Sequence, residues 1–226
     1  MSATAIRPFS TDPKSPIQPL LELALLQSNA KGAYVYRFER EKTRAMLVAF
    51  TGPALAEAPQ AELHPGTVAP HWNRKTPLVL AAKAAADWRF SGFPEFQTGY
   101  FEGVASIPLL DSGEIVGVAN FCRDAQKPLP GRALAFLMSL SAPLGALLVA
   151  ATLREQLQKA NRDLADRKVV ERAKGLLQER FQWSEEEAYL RLRRLSRRRR
   201  TPLREIAREV IESAIADLPE ALAQHD

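Results

Sequence analysis

Cysteine is nearly absent from this 226-residue chain, where Cys122 stands alone. One thiol excludes a disulfide framework and any Cys-rich zinc or iron–sulfur centre, and it suits a reducing compartment. Histidine is almost as scarce, with only His64, His71 and His225. His64 and His71 lack carboxylate or Cys partners at metal-ligand spacing, so no metal site is expected; no cofactor is expected either, with haem held through one His as the minor alternative. Long apolar runs are missing as well: the longest, residues 143–153 (PLGALLVAATL), falls short of the roughly 20 residues a membrane span needs. The N-terminus, MSATAIRPFSTDPKSPIQP, has no charged-then-apolar signal layout. No Gly-rich phosphate loop occurs, and no Ser/His/Asp set recommends itself by spacing, so the chain does not read as an enzyme. What is present is ordinary globular stock, 46% hydrophobic and 25% charged. That supports one core of about 100–150 residues plus a smaller module, in a soluble cytoplasmic protein with no membrane partner.

The formal net charge of +5 matters less than its placement. Residues 1–150 carry 14 basic and 12 acidic side chains, whereas residues 167–204 alone carry 13 basic and 5 acidic. A gradient that steep points to a polyanionic partner for that one segment, with a solvated helical face as the plainer alternative.

Residues 1–15 hold Ser, Thr, Pro and Asp without apolar periodicity and read as a flexible tail. From Pro16 the run Ile17, Leu20, Leu21, Leu23, Ala24, Leu25 predicts a helix that stops near Asn29 to Gly32. Two strands are expected at residues 33–38 (AYVYRF) and 44–50 (RAMLVAF). Pro and Ala crowd residues 52–70, which read as loop and short helix; 77–80 is a short apolar run, and 81–87 a helical turn or lining loop. Residues 103–110 and 114–121 predict two further strands, with Asp111-Ser112-Gly113 as a hairpin turn. This order describes an α+β domain on an antiparallel sheet with flanking helices.

Residues 130–181 read as helix. Within them Ala146, Ala150, Leu153, Leu157, Ala160 and Leu164 recur at spacings of four and three, a short coiled-coil seam over 146–165 through which two copies would pair. The tail then shows three helical patterns. The first buries Val169, Val170, Ala173, Leu176, Leu177 and Phe181, leaving Arg167, Lys168, Arg172 and Lys174 on the remaining arc. Ser184 with Glu187 three residues on makes a capping box for the second, which buries Ala188, Leu192 and Leu195 and ends in Arg197 to Arg200. Thr201-Pro202 reads as an N-cap followed by Pro at the first position of the third, which buries Ile206, Ala207, Val210, Ile211 and Ala214. A small residue on each helix, Ala173, Ala188 and Ala207, lets three short helices pack closely, and such helices are stable only by packing.

These residues carry a resemblance. Residues 167–177 (RKVVERAKGLL) are similar to the opening helix of the ANTAR family of RNA-binding antitermination modules, R-x-x-I-x-x-A-K-G-x-L. Ser184 to Tyr189 (SEEEAY) resembles its S/T-x-x-E-A-F/Y step, Leu192-Arg193 its L-R, and Ile206-Ala207 with Val210-Ile211 its closing helix. Gln178 departs from the family, which often carries Met there, and the four-Arg run is more basic than the family needs. The resemblance implies an all-α three-helix module at 166–220 that binds paired stem-loops in nascent messenger RNA. The chemistry suits that partner: Lys and Arg neutralise phosphates and release counterions, and Arg stacks on or forks onto splayed loop bases. The expected contact set is Arg167, Arg172, Lys174, Arg191, Arg193 and Arg194, with Lys168, Arg180 and Arg197 to Arg200 adding longer-range attraction. Lys174 also reads as a snorkelling surface lysine, and the Arg run as a favourable helix C-terminus.

Residues 16–145 resemble a GAF domain by element order and by GVASIPLLDSGEIVGVANF, similar to the family's late hairpin. The resemblance implies a sensor that takes a small ligand between the sheet and the middle excursion and dimerises through flanking helices. The candidate pocket segment, about 68–100, contains His71, Trp72, Trp88, Phe90, Phe93, Phe96 and Tyr100; an aromatic cluster suits a planar or apolar ligand, though such residues are more often simply core. Cys122 sits in no Cys–His pair of the bilin-attaching kind, and relatives that reduce methionine sulfoxide need several Cys. The resulting expectation is a homodimeric, signal-responsive RNA-binding regulator. The rivals are a dimeric DNA-binding regulator and a tail that docks an acidic protein. Against DNA, the turn between the second and third helices carries four Arg and a Pro instead of a short Gly-containing turn.

Overall fold

The computed structural model describes residues 15–39, 44–53, 60–62, 75–97, 101–124 and 128–215. The chain divides into two compact units, 1–152 and 153–226.

In the first unit, α1 (Gln18–Ser28) buries Leu21, Ala24 and Ser28 with Ile17 just ahead, a four-three-four spacing that fixes one helical face. It stops where Asn29 enters the left-handed region at φ 54°, a conformation that Asn tolerates. Strands β1 (Gly32–Phe38) and β2 (Arg44–Thr51) pair antiparallel, and β3 (Gln60–Glu62) adds to the edge of β2. The sequence assigned that last stretch to loop; three residues held only by pairing leave no period to read. After β4 (Leu78–Leu80) come single 3₁₀ turns at Ala84–Ala86 and Trp88–Phe90, then the one-turn helix α2 (Pro94–Gln97). Strands β5 (Gly103–Asp111) and β6 (Glu114–Arg123) are joined by Ser112 and Gly113 alone, at φ 47° and 80°. Two positive φ angles in a two-residue loop define the turn whose twist matches a hairpin. The sheet runs β3-β2-β1-β6-β5-β4.

Both faces of this sheet are covered, which is why its strands read as nearly continuous apolar runs. Val35, Ile107, Ala119 and Phe121 pack with α1 and the helices that follow β6, while Tyr34, Tyr36, Val104, Val118 and Cys122 pack under the 84–97 excursion. The expected single helix over 130–181 is broken: α3 (Gly131–Ser139) ends at Leu140, and α4 (Ser141–Phe181) restarts. Pro143 accounts for the break, since it has no N–H and its ring excludes a helical carbonyl four residues back, so it is tolerated only in a first turn. Leu137, Leu140, Leu144 and Leu148 join the core on the α1 side of the sheet. By length and composition alone, 131–181 would suffice to cross a membrane, with an 18-residue window at mean hydropathy 2.1; the longest contiguous apolar run understates it. A third of that window is already buried in the fold.

The second unit holds the end of α4 with α5 (Glu185–Arg199) and α6 (Leu203–Ile215). Ala173, Leu177, Ala188, Leu192, Leu195, Ile206, Ala207 and Val210 form its core, as the periodicity predicts. The α5 capping box is present: the Glu187 N–H donates to Ser184 Oγ at 3.2 Å and the Ser184 N–H donates to Glu187 Oε2 at 2.8 Å. Thr201 is not the cap of α6. Its hydroxyl donates back to the Arg199 carbonyl at 3.3 Å, and the Pro202 carbonyl accepts the first helical bonds from Glu205 and Ile206. Because α4 is unbroken, the expected connecting helix of 146–165 and the first helix of the expected 166–220 module are one element.

Candidate nucleic-acid interface

Helical spacing places Lys168, Arg172, Gly175 and Glu179 on one stripe of α4, and all four are exposed. Arg167 is exposed one residue earlier, and Arg193 and Arg194 are exposed on α5. Among the described residues, none of these five cations takes part in an ion pair. Arg197 to Arg200 are exposed at the α5 C-terminus, where positive charge is favoured by the helix dipole; Arg199 is paired with Glu209 at 2.8 Å. Arg180 is exposed near the end of α4.

Arg191 is half-buried, its guanidinium 5.3 Å from the centre of the Trp183 ring, and Trp183 in turn stacks on Phe181 at 4.5 Å. Its planar cation therefore packs the turn between α4 and α5 as well as carrying charge.

Lys174 departs from the sequence reading, which put it on the exposed arc. Only 6% of it is exposed, and its Nζ lies 2.8 Å from Glu171 Oε2 and 2.7 Å from Glu185 Oε1. Those carboxylates hold the ammonium above its ordinary range, while Lys174 holds Glu185 below the carboxylate range. The lysine thus ties α4 to the first turn of α5. Glu187 is lowered too, by the N–H and hydroxyl of Ser184. A depressed carboxylate contributes stability that is present above its ordinary value and lost as pH falls through its folded value. The second unit is accordingly expected to lose stability in acid, as pH drops below 4.5. Lys174→Met should lower its melting temperature at neutral pH by roughly 5 °C. It should also remove the Glu185 part of the acid dependence and keep the Ser184 part. Calorimetry across acid pH checks this, and an unchanged melting profile would contradict it.

A groove of about 680 Å³ opens between the helices of this unit, lined among others by Asp166, Arg167, Glu171, Tyr189, Leu203 and Arg204. Arg204 pairs with Asp166 at 3.1 Å across it. Tyr189 and Arg204, which lie outside the expected contact set, line this groove with Arg167 because tertiary packing brings them together.

In the first unit the expected pocket aromatics separate. Phe90, Phe93 and Phe96 are core, with Phe90 5.0 Å from Phe96 and Phe93 4.9 Å from Tyr36, so Phe90 fills space instead of lining an opening. Trp88 is 59% exposed. His71, Trp72 and Tyr100 lie outside the described residues. Among the described residues, no group of three or more His, Cys, Asp or Glu could hold a metal ion.

Comparison with known proteins places two domains on the chain. A GAF domain model matches residues 11–149, and an ANTAR domain model matches residues 158–211. No curated protein matches the chain. Among solved structures, the GAF domain of a Coxiella burnetii phosphoenolpyruvate-protein phosphotransferase (ptsP) is 19% identical, covering 62% of this chain and 85% of its own, with a TM-score of 0.50. The GAF domain of the Acinetobacter phosphoenolpyruvate-protein phosphotransferase is 18% identical, covering 59% and 80%, with a TM-score of 0.48. The type II free methionine-R-sulfoxide reductase of Thermoplasma acidophilum is 15% identical, covering 59% and 89%, with a TM-score of 0.47.

Proposed function

The chain belongs to the GAF domain family and carries an ANTAR domain match behind it, and from that premise we propose that it is a signal-responsive regulator whose second unit binds paired hairpins in nascent messenger RNA. The observation that carries this reading is the concentration of charge in residues 167–204, 13 basic against 5 acidic, with Arg167, Lys168, Arg172, Arg193 and Arg194 exposed on the helices of the matched module. Exposed cations on packed helices suit phosphates on stems and unstacked bases in loops. Binding of the paired hairpins would hold an antiterminator against a terminator. The first unit would take the signal, a small ligand in the manner of GAF domains, and no catalytic step or resident cofactor belongs to the reading. The protein would act in the cytoplasm, without a membrane partner.

Two copies would act together. Leu153, Leu157 and Leu164 are 58%, 61% and 53% exposed on the α4 seam, and a second copy pairing there would bury them. A dimer presents two modules to two hairpins, so the second contact becomes intramolecular and raises the affinity of both.

Gly175 supplies a test that separates binding from folding. A Cβ added there meets nothing within 4 Å, yet glycine inside a helix costs about 1 kcal/mol relative to alanine. The reading gives this glycine a purpose: RNA comes close to the α4 backbone beside Lys168 and Arg172. Gly175→Ala is therefore expected to raise the melting temperature of the second unit while lowering hairpin affinity several-fold. A variant that is more stable and binds equally well would remove α4 from the interface.

A further inference from the structure

The groove of the second unit combines features that charge alone does not use. Part of its lining is apolar: Val170 on α4 and Leu203 on α6 line it and pack against the core of the unit, and Tyr189 on α5, an exposed aromatic, lines it with them. Among the described residues the Tyr189 hydroxyl makes no hydrogen bond and its ring no aromatic contact. The charges along the groove largely cancel. Asp166 is held by Arg204 at 3.1 Å, and Glu171 by Lys174 at 2.8 Å. That leaves Asp163 and Arg167, one helical turn apart on α4 and both exposed. Among the described residues neither takes part in an ion pair. At about 680 Å³ the groove has the size of a small-ligand site.

We propose that this groove takes one unpaired guanine from a hairpin loop, with Tyr189 stacking on the base and Asp163 accepting from its Watson–Crick edge. The inference rests on the RNA reading and gives it a base specificity. A base is uncharged and presents a flat apolar face, which suits an aromatic ring in a lining whose charges cancel. Its phosphate suits the cations instead, and Arg167 lines the groove while also belonging to the exposed cationic set with Lys168 and Arg172. Asp163 sets the choice of base, because an ionised carboxylate only accepts. Guanine alone among the four bases places two donors side by side, N1–H and the N2 amino group, which the two oxygens of one carboxylate receive together. Adenine and cytosine offer one amino group beside an acceptor, and uracil one N–H between two carbonyls. In a duplex the guanine edge is already paired, so the groove also favours loops over stems.

The test uses the full chain and twin-hairpin RNAs with randomised loops, which are bound, recovered and sequenced. Recovered loops should hold guanine at one fixed position several times more often than the input pool. In the best-recovered RNA, inosine at that position removes the N2 amino group and should weaken binding about ten-fold. Asp163→Ala, at an exposed helical position, should make the guanine and inosine RNAs bind equally. Tyr189→Leu keeps apolar bulk without a ring and should weaken the guanine RNA about ten-fold, whereas Tyr189→Phe should bind it like the native chain. Should Tyr189→Leu fail to fold, the Asp163→Ala comparison decides alone. No binding of any hairpin in the pool would sink the RNA reading, and this inference with it. Hairpins bound without a base preference in the loop, another base enriched in place of guanine, or a guanine-to-inosine difference that survives Asp163→Ala would overturn the groove's role and leave the RNA reading standing.

Discussion

Replacing Arg167, Lys168 and Arg172 together by Ala is expected to weaken hairpin RNA binding on the order of 100-fold, at about 1 kcal/mol for each exposed contact. The slope of log affinity against log salt should fall by about three, because each phosphate contact releases about one counterion. All three side chains are exposed, and none is buried in the core of the second unit, so its melting temperature should stay within about a degree. Filter binding at several salt concentrations, run beside calorimetry, reads both quantities. Full-strength binding by the triple variant would move the interface off this face of α4. Equal losses of fold and binding would make these residues structural.

Gly145→Ala is expected to cost the first unit about 3 kcal/mol, the upper end of overpacking penalties. Gly145 is buried in the second turn of α4, and a Cβ there would stand 2.1 Å from the Leu110 carbonyl oxygen and 2.6 Å from its carbon. Both are backbone atoms, so no rotamer change relieves the clash; the helix must move away from β5. The register of β5 with β6 shifts between Leu109 and Leu110, which puts this close approach at an irregularity of the sheet. A drop of roughly 10 °C in the melting of the first unit is the expected reading. A neutral result would mean that α4 does not rest on β5.

What the sequence made legible were the features decided within a few residues. Asn29 ending α1, Ser112-Gly113 turning the hairpin and Ser184 with Glu187 capping α5 each act through their own backbone, and each is found where the sequence puts it. Features decided by distant partners were harder to read. The three residues of β3 form a strand only because β2 offers an edge. Lys174 had the helical phase of a surface residue, and its burial depends on Glu185 arriving from the next helix. Phe90, Phe93 and Phe96 looked like a pocket wall because aromatics serve both roles, and packing against Tyr36 decided for core. The cations of the expected contact set were legible as a surplus of charge on these helices. Which of its members are held by neighbours, as Lys174 and Arg191 are, was not.

The most direct measurement is a gel shift of the full chain at near-physiological salt, with an RNA carrying two hairpins set against a scrambled RNA of the same length and a duplex DNA. The account predicts a shift on the twin-hairpin RNA that excess scrambled RNA or duplex DNA does not compete away. Equal binding to all three, or a preference for the duplex, would contradict it.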